Sequence, residues 1–424
     1  MYTLKLQGQT GTKIIAIGIF LFFFALYFSC SLLLAQTGSF SNYGIFFELD
    51  TPRVMGDMTI FDADHYRTKV HPLFVLLVNP LGMSLSNLFK SHLLAAIFLN
   101  SFLGALGVFL AFFYFKFLTE DIYRAGLLTC FLGITTSQFF LSIIPETGTL
   151  SILSLMATYT VFLLAVKYKR DNFWVWVLAG MFTFAVTTTN LVQTLICFTA
   201  SSFMQTNFQK RPLRALARVA AFLICILACA AIFARIQKVI YPSASLFYLA
   251  ESYEEDFLYT SMLIFQSPAT VIFQLLKHSF FVNIITSIPD IYSIIGQDKP
   301  ALTFARSLNY MFVGWLAVGL WLALLVAGAV QSVTKKLEIP LRVGFTFAIC
   351  LLFNFALHSI YGRGVSGEME YFPYTGNFSF LVLSGLAYFS LPAKYINYIL
   401  LGALALLAGI NNIMLFIRIL NIYG

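Results

Sequence analysis

From Ile14 to Ala35 the chain runs without a single charged side chain, and apolar stretches of this kind recur to its end. A helix needs about 20 such residues to span the hydrocarbon core of a bilayer, so the pattern restricts the chain to a polytopic membrane protein. Composition agrees, since only 10% of the 424 residues are charged against about 25% in soluble domains. The first run follows Lys5 and Lys13, is too long for a secretory leader and has no clear small-x-small cleavage site. It is expected to be an uncleaved first span with the N-terminus in the cytoplasm.

The expected fold is all-α: one domain over 1–424, with about eleven transmembrane helices and further helices lying on the outer face. The candidate spans are roughly 13–35, 92–115, 125–144, 148–166, 173–189, 190–206, 215–235, 307–330, 342–360, 377–392 and 395–417. The segment from His71 to Leu88 is treated differently. Its apolar core, Leu73 to Val78, is short and is followed by Asn79-Pro80 and Gly82. Such pieces lie in the interface more often than they cross.

Charge placement tests that choice. With 71–88 on the outer face, most of the 26 Lys and Arg fall at cytoplasmic ends, including the KYKR of 167–170 and the QKRPLRALAR of 209–218. The acids there are Glu120, Asp121, Asp171 and Glu338. This is the positive-inside pattern, and a crossing at 71–88 would invert it. The polar outer segments are then 36–71 (extended by the surface helix to about 91), 236–306 and 361–376, with a smaller break at Thr187 to Asn190. A surface helix is expected within Ser267 to Lys299. The basic residues form no single patch, which argues against a nucleic-acid partner. All six cysteines lie in apolar runs without metal-ligand spacing and read as small hydrophobes.

The densest polar cluster is in the first outer loop. Glu48, Asp50, Asp57, Asp62 and Asp64 repel one another unless cations or a ligand balance them. A carboxylate at the membrane surface, such as Asp50, is suited to general-base work, since low dielectric raises its basicity and a nearby cation keeps it ionised; a solvated loop acid is the competing reading. Arg67, Lys69 and His71 alternate in RTKVH and would face one side if extended, where they could grip a phosphate. Lipid anchoring is the alternative there.

Glu146, in IIPETG between two spans, is either a functional rim acid or a helix cap. Between His358 and Leu381, Arg363 stands between two glycines and is followed by Glu368, Glu370, Tyr371 and Tyr374. A cation placed there could stabilise a leaving phosphate, and a plain surface turn explains it equally well. No phosphate-binding loop or dinucleotide fingerprint occurs, so a donor substrate would come from the membrane itself.

These features resemble the GT-C glycosyltransferases, particularly the protein O-mannosyltransferases and lipid A aminoarabinose transferases. The matching residues are Asp50, then Gly56-Asp57, then Lys69-Val70-His71-Pro72-Leu73, with Pro145-Glu146 and Thr189-Asn190 further on. Where that family has Asp-Glu, this chain has Asp50-Thr51 with Glu48 beside it, which leaves the base among Glu48, Asp50 and Asp57.

The resemblance implies inverting transfer of a sugar from a polyprenyl-phosphate donor to an acceptor hydroxyl on a cell-envelope glycan, lipid or protein. The reaction would occur at the periplasmic face of the plasma (inner) membrane. Asp50 would be the base, and Arg67, Lys69, His71 and Arg363 phosphate ligands. Glu48, Asp57, Glu146, Glu370 and Tyr374 would complete the substrate site. No cofactor is implied, and a divalent metal is compatible but not indicated. Membrane lipid is the other expected partner. A lipid or solute transporter, or an O-antigen ligase or polymerase, are the competing classes; the acidic, arginine-poor 251–256 region argues against the latter.

Overall fold

A computed structural model describes residues 2–169, 172–206, 212–249, 267–334, 338–360 and 370–424. The chain is a helical integral membrane protein. Among the described residues, seven helices are long and apolar enough to cross a membrane, or eight if one bent pair counts as a single span. They are α1 (Tyr2–Gln36), α4 (His92–Thr119), α7 (Thr147–Tyr168), α10 (Pro212–Ile240), α12 (Phe312–Thr334), α13 (Glu338–Ile360) and α15 (Lys394–Tyr423). The bent pair is α5 (Ile122–Ile134) with α6 (Thr136–Ile143), at an angle of 58°.

Three of the expected spans take a shorter form. Helix α8 (Phe173–Val186) and helix α9 (Asn190–Thr206) have 14 and 17 residues, or about 21 and 26 Å at 1.5 Å per residue. In place of a span at 377–392, a 12-residue helix α14 (Phe372–Leu383) runs into a 3-10 turn, Ser384–Tyr388. The remaining α-helices among the described residues are α2 (Thr51–Thr59), α3 (Phe74–Phe89) and α11 (Pro268–Lys277). Only the first third of 267–299 is regular α-helix. It passes into a π-turn, His278–Val282, and then a hairpin of β1 (Asp290–Tyr292) antiparallel to β2 (Ala301–Thr303).

Polar residues at helix starts meet the first free N–H groups. Ser91 accepts from Leu94, Asp121 from Tyr123 and Arg124, Glu146 from Thr147, and Asn172 from Trp174. Helix α4 packs against α1, α3, α5 and α7. Small residues on its buried face permit close approach, as in other membrane bundles; a Cβ at Gly104 would lie 2.3 Å from Ser142 Oγ. Polar side chains tie the short helices to the core: Asn190 Nδ2 donates to Ser151 Oγ, and Ser151 Oγ donates to Asn377 Oδ1 at 2.7 Å.

Several backbone groups freed by the bend at Thr135 are bonded. Carbonyls freed at the end of α5 accept from Thr135 Oγ1 (Leu132 O), Tyr27 Oη (Gly133 O) and Asn412 Nδ2 (Ile134 O). At the start of α6, Ser137 N donates to Asn283 O. Without such partners these groups would each cost several kcal/mol in a membrane, by the order of magnitude expected for unpaired buried amides.

The helix ends sort into two layers. One holds Lys116 on Thr12, Lys167 on Glu120, and Tyr398 on Asp121. The other holds residues 45–73, 144–146, 185–190, 237–245, 277–304 and 370–377, cross-linked as described below. Helix α3 stays in this second layer. Leu73 N donates to Ala185 O at its start, and Asn79 Nδ2 donates to the carbonyls of Asp57 and Ile60 at its middle. Near its end Ser86 Oγ meets His92 Nδ1, which is also 3.1 Å from Thr59 O.

Gly82 lets α3 lie directly on α2, since a Cβ there would stand 2.0 Å from Met58 O. Backbone cannot yield as a side chain can, so Gly82→Ala is expected to destabilise by about 1–3 kcal/mol, the usual overpacking penalty. Thermal unfolding of the purified chain in detergent reads this directly.

Candidate active site

After α1 the chain is held against the hairpin much like a third strand. Leu302 N donates to Ile45 O at 2.8 Å and Phe47 N to Leu302 O at 3.0 Å. The Phe47 ring is fully buried and stacks on Phe304 at 4.4 Å, with Phe140 and Phe372 at 5.5 and 4.8 Å. Phe47 and Glu48 then both take left-handed backbone, with φ of 54° and 61°. Such residues cost about 1–3 kcal/mol each and persist only where packing over-determines them. Here the aromatic clamp does so, and the double reversal delivers Asp50 to the N-cap of α2, with Pro52 in the first turn.

Asp50, Arg53 and Asp57 fall on one face of α2 by their i, i+3, i+7 spacing. The Asp50 side chain makes no capping bond. It is 44% exposed and lies 3.4 Å from Arg53 Nε. Arg53 Nη1 reaches the buried Asp57 at 2.8 Å, and His65 Nδ1 takes the other Asp57 oxygen at 2.7 Å. Both His65 nitrogens face acceptors, because Nε2 lies 3.1 Å from Phe61 O. Burial alone would lower the His65 pKa, but the bonds to Asp57 and Phe61 outweigh it and the net shift is upward.

The sign of that shift sets a pH dependence. A histidine pKa raised in the folded state contributes stability that is fully present below the unfolded value, 6.5, and lost as pH rises through the folded one. Thermal stability is therefore expected to decline above pH 6.5, and His65→Gln is expected to flatten that slope. An unchanged pH profile in the variant would remove His65 from this role.

Glu146 interacts electrostatically with the same group, through Arg53 and Asp50. It is 8% exposed. Its Oε1 accepts from Thr147 N and Oγ1, both at 2.9 Å, while Oε2 is buried with no hydrogen-bond partner among the described residues. Burial raises its pKa; Arg53 opposes the rise and Asp50 adds to it. Of the two readings of Glu146, the cap on α7 is the one that its hydrogen bonds show.

The cationic stretch borders this cluster through Tyr66, whose electrostatic influence reaches Arg53. Arg67 and Lys69 each lie 6.0 Å over the Tyr66 ring. The turn is not extended, as RTKVH suggested, but 3-10 (Tyr66–Lys69), and Lys69 is buried. Thr68 Oγ1 fixes it by accepting from Ser245 N at 2.7 Å. His71 sits apart from the pair, its Nδ1 2.6 Å from Val186 O, while Thr188 N donates to Val70 O. That clamp holds the α8–α9 break against the loop.

The second polar group of this layer serves the framework. Glu370 is buried and accepts from Thr303 Oγ1, Phe304 N and Phe372 N, with His278 Nε2 3.2 Å away. Although burial opposes ionisation, these bonds hold its carboxyl below the ordinary range. Lys277 Nζ donates to the carbonyls of Phe304 and Ala305, both at 2.7 Å, and burial lowers its pKa to about 8. These residues lock the hairpin that clamps Phe47. The Tyr374 ring packs on His358 at 4.9 Å. Arg363 lies outside the described residues.

Sequence reasoning passed over Arg53 and His65, the two groups that organise the carboxylates. A signal for Arg53 is visible in D-T-P-R-V-M-G-D, where a proline at a helix start fixes the phase of the acids and the base. Among the described residues, no group of three or more His, Cys, Asp or Glu is placed to hold a metal ion. The sequence matches no protein-family model and no curated protein.

Proposed function

We propose that the chain is an inverting membrane glycosyltransferase, which moves a sugar from a polyprenyl-phosphate donor to an acceptor hydroxyl on a cell-envelope glycan, lipid or protein. One observation carries this reading. Of the three carboxylates gathered around Arg53, Asp50 alone is open to solvent, at 44%, while Asp57 is 3% exposed at its side chain and Glu146 is buried. A base must reach its acceptor, and Asp50 can. Arg53 Nε, 3.4 Å away, holds the carboxylate in place at the start of α2.

In the proposed step the acceptor oxygen attacks the anomeric carbon and gives its proton to Asp50. The bond to phosphate breaks, and polyprenyl phosphate leaves with the electron pair. Arg67 and Lys69 supply positive charge at that layer, and Glu146 Oε2 is the group available to a sugar hydroxyl. Positive-inside topology supports a cytoplasmic N-terminus and a periplasmic site. An eleven-span count follows if α5–α6, α8, α9 and the α14 turn each traverse, the short ones at points where protein or a thinned bilayer covers their ends.

The bend at Thr135 is the feature that favours transport, because transporters build cargo sites at broken helices. Here the freed carbonyls are bonded to side chains of the protein itself, which supports a fixed scaffold. The test is a transfer assay in membranes carrying the chain, using a panel of labelled polyprenyl-phosphate hexoses and pentoses. A product with inverted anomeric configuration is expected. Retained configuration, or no transfer across the whole panel, would overturn the reading.

A further inference from the structure

We infer that the opposite layer holds a binding site for an aminophospholipid headgroup, a phosphate diester bearing a primary amine. A cavity of about 340 Å³ opens between the start of α5 and the start of α15, within the 300–1,000 Å³ range of small-molecule sites. Arg124 and Lys394 line it with positive charge, Glu120 and Asp121 with negative charge, and Tyr398 and Ser390 complete the polar wall.

The two signs differ in how the protein has used them. Arg124 is fixed by donating from Nη2 to the carbonyls of Leu386 and Phe389, while its buried Nε has no partner among the described residues. Lys394 is exposed and forms no ion pair among the described residues. It begins a 30-residue helix whose start has no side-chain cap, so first-turn N–H groups and the dipole add to the positive side. On the other wall, Asp121 accepts from Tyr398 Oη at 2.5 Å and caps α5, and Glu120 pairs with Lys167 at 2.6 Å while its side chain stays 74% exposed.

A phosphate alone would meet two carboxylates here, and an amine alone two cations. A molecule carrying both charges satisfies both walls. The position argues for a lipid rather than a solute: α4 ends at Thr119 and α15 starts at Lys394, so two membrane-length helices terminate at the cavity, at headgroup depth, beside the start of α5 at Ile122. The inference stands apart from the proposed reaction, whose residues lie in the other layer.

The test is native mass spectrometry of the full chain released from micelles containing equal phosphatidylethanolamine, phosphatidylcholine and phosphatidylglycerol. Phosphatidylethanolamine should be retained preferentially. Lys394→Glu should weaken its retention about tenfold, the loss of one charge-assisted contact. Glu120→Gln should reduce the preference over phosphatidylglycerol. Both side chains are exposed, so unchanged thermal unfolding separates lipid loss from misfolding. Equal retention of the three lipids, or retention indifferent to both substitutions, overturns the site. Soluble O-phosphoethanolamine binding as tightly as the lipid, by calorimetry, would overturn the lipid as occupant.

Discussion

Asp50→Asn is expected to slow sugar transfer by about 10²- to 10⁴-fold, the range of a lost general base, while leaving the chain folded and abundant in the membrane. The two halves of that statement have separate physical grounds. Asparagine keeps the shape of the side chain but cannot take the acceptor proton, so the chemical step suffers and donor binding should change little. Stability is spared because Asp50 is half open to solvent and its bond to Arg53 is long, at 3.4 Å. Exposed ion pairs of this kind contribute only about 0–1 kcal/mol.

Asp57→Asn gives the contrast. It disturbs a buried carboxylate held by both Arg53 and His65, so melting temperature and activity should fall together. Turnover surviving in Asp50→Asn and lost in Glu48→Gln would move the base to Glu48, two residues before Asp50 in the left-handed turn of Phe47 and Glu48. Survival in both variants would remove the base from this loop altogether.

The fold was legible where composition alone decides it. Long apolar helices such as α1, α4 and α15 follow from runs that have no other use than crossing a membrane. The bend at Thr135 was not, because no proline marks it and a lone Gly133 in an apolar run does not by itself call for a break. It exists because Tyr27 and Asn412, over 100 and over 270 residues away, bond its carbonyls. The hairpin at 290–303 was hidden for a similar reason: its strands are three residues long, too short for alternation to register, and are held by Ile45 and Glu370.

The candidate site divides along the same line. Density of charge pointed to Asp50, Asp57, Arg67 and Lys69, which do lie around one short helix and the turn that follows it. Charge density does not reveal pairing. Glu370 read as a ligand group because it sits in a polar loop, yet its oxygens are taken up by residues some 70 to 90 positions earlier. His71 read as a phosphate donor, and its Nδ1 is spent on Val186. Arg53, hidden among apolar neighbours in TPRVM, became central only once α2 put it between two acids.

Arg53→Met is accordingly expected to be the most damaging single change in the chain. Methionine fills similar space without charge, so it isolates the electrostatic role. Asp57 would keep only His65, and Glu146 would lose the cation that opposes its protonation. Breaking one partner from a buried ion pair costs about 3–5 kcal/mol, which should appear as a marked drop in thermal stability. Transfer should fall at least as far as in Asp50→Asn, because the base loses its orienting partner as well.

Arg53→Lys should recover part of the stability and little of the activity. A single ammonium cannot bond Asp50 through one nitrogen and Asp57 through another as the guanidinium fork does. The double variant Arg53→Met with Asp57→Asn separates the two effects. Neutralising both partners should return stability toward wild type, giving a coupling of about 0.5–3 kcal/mol in a double-mutant cycle, while transfer stays lost. If Arg53→Met instead melts and turns over as the wild type does, Arg53 does not organise these carboxylates. The assignment of Asp50 as an oriented base would then fall with it.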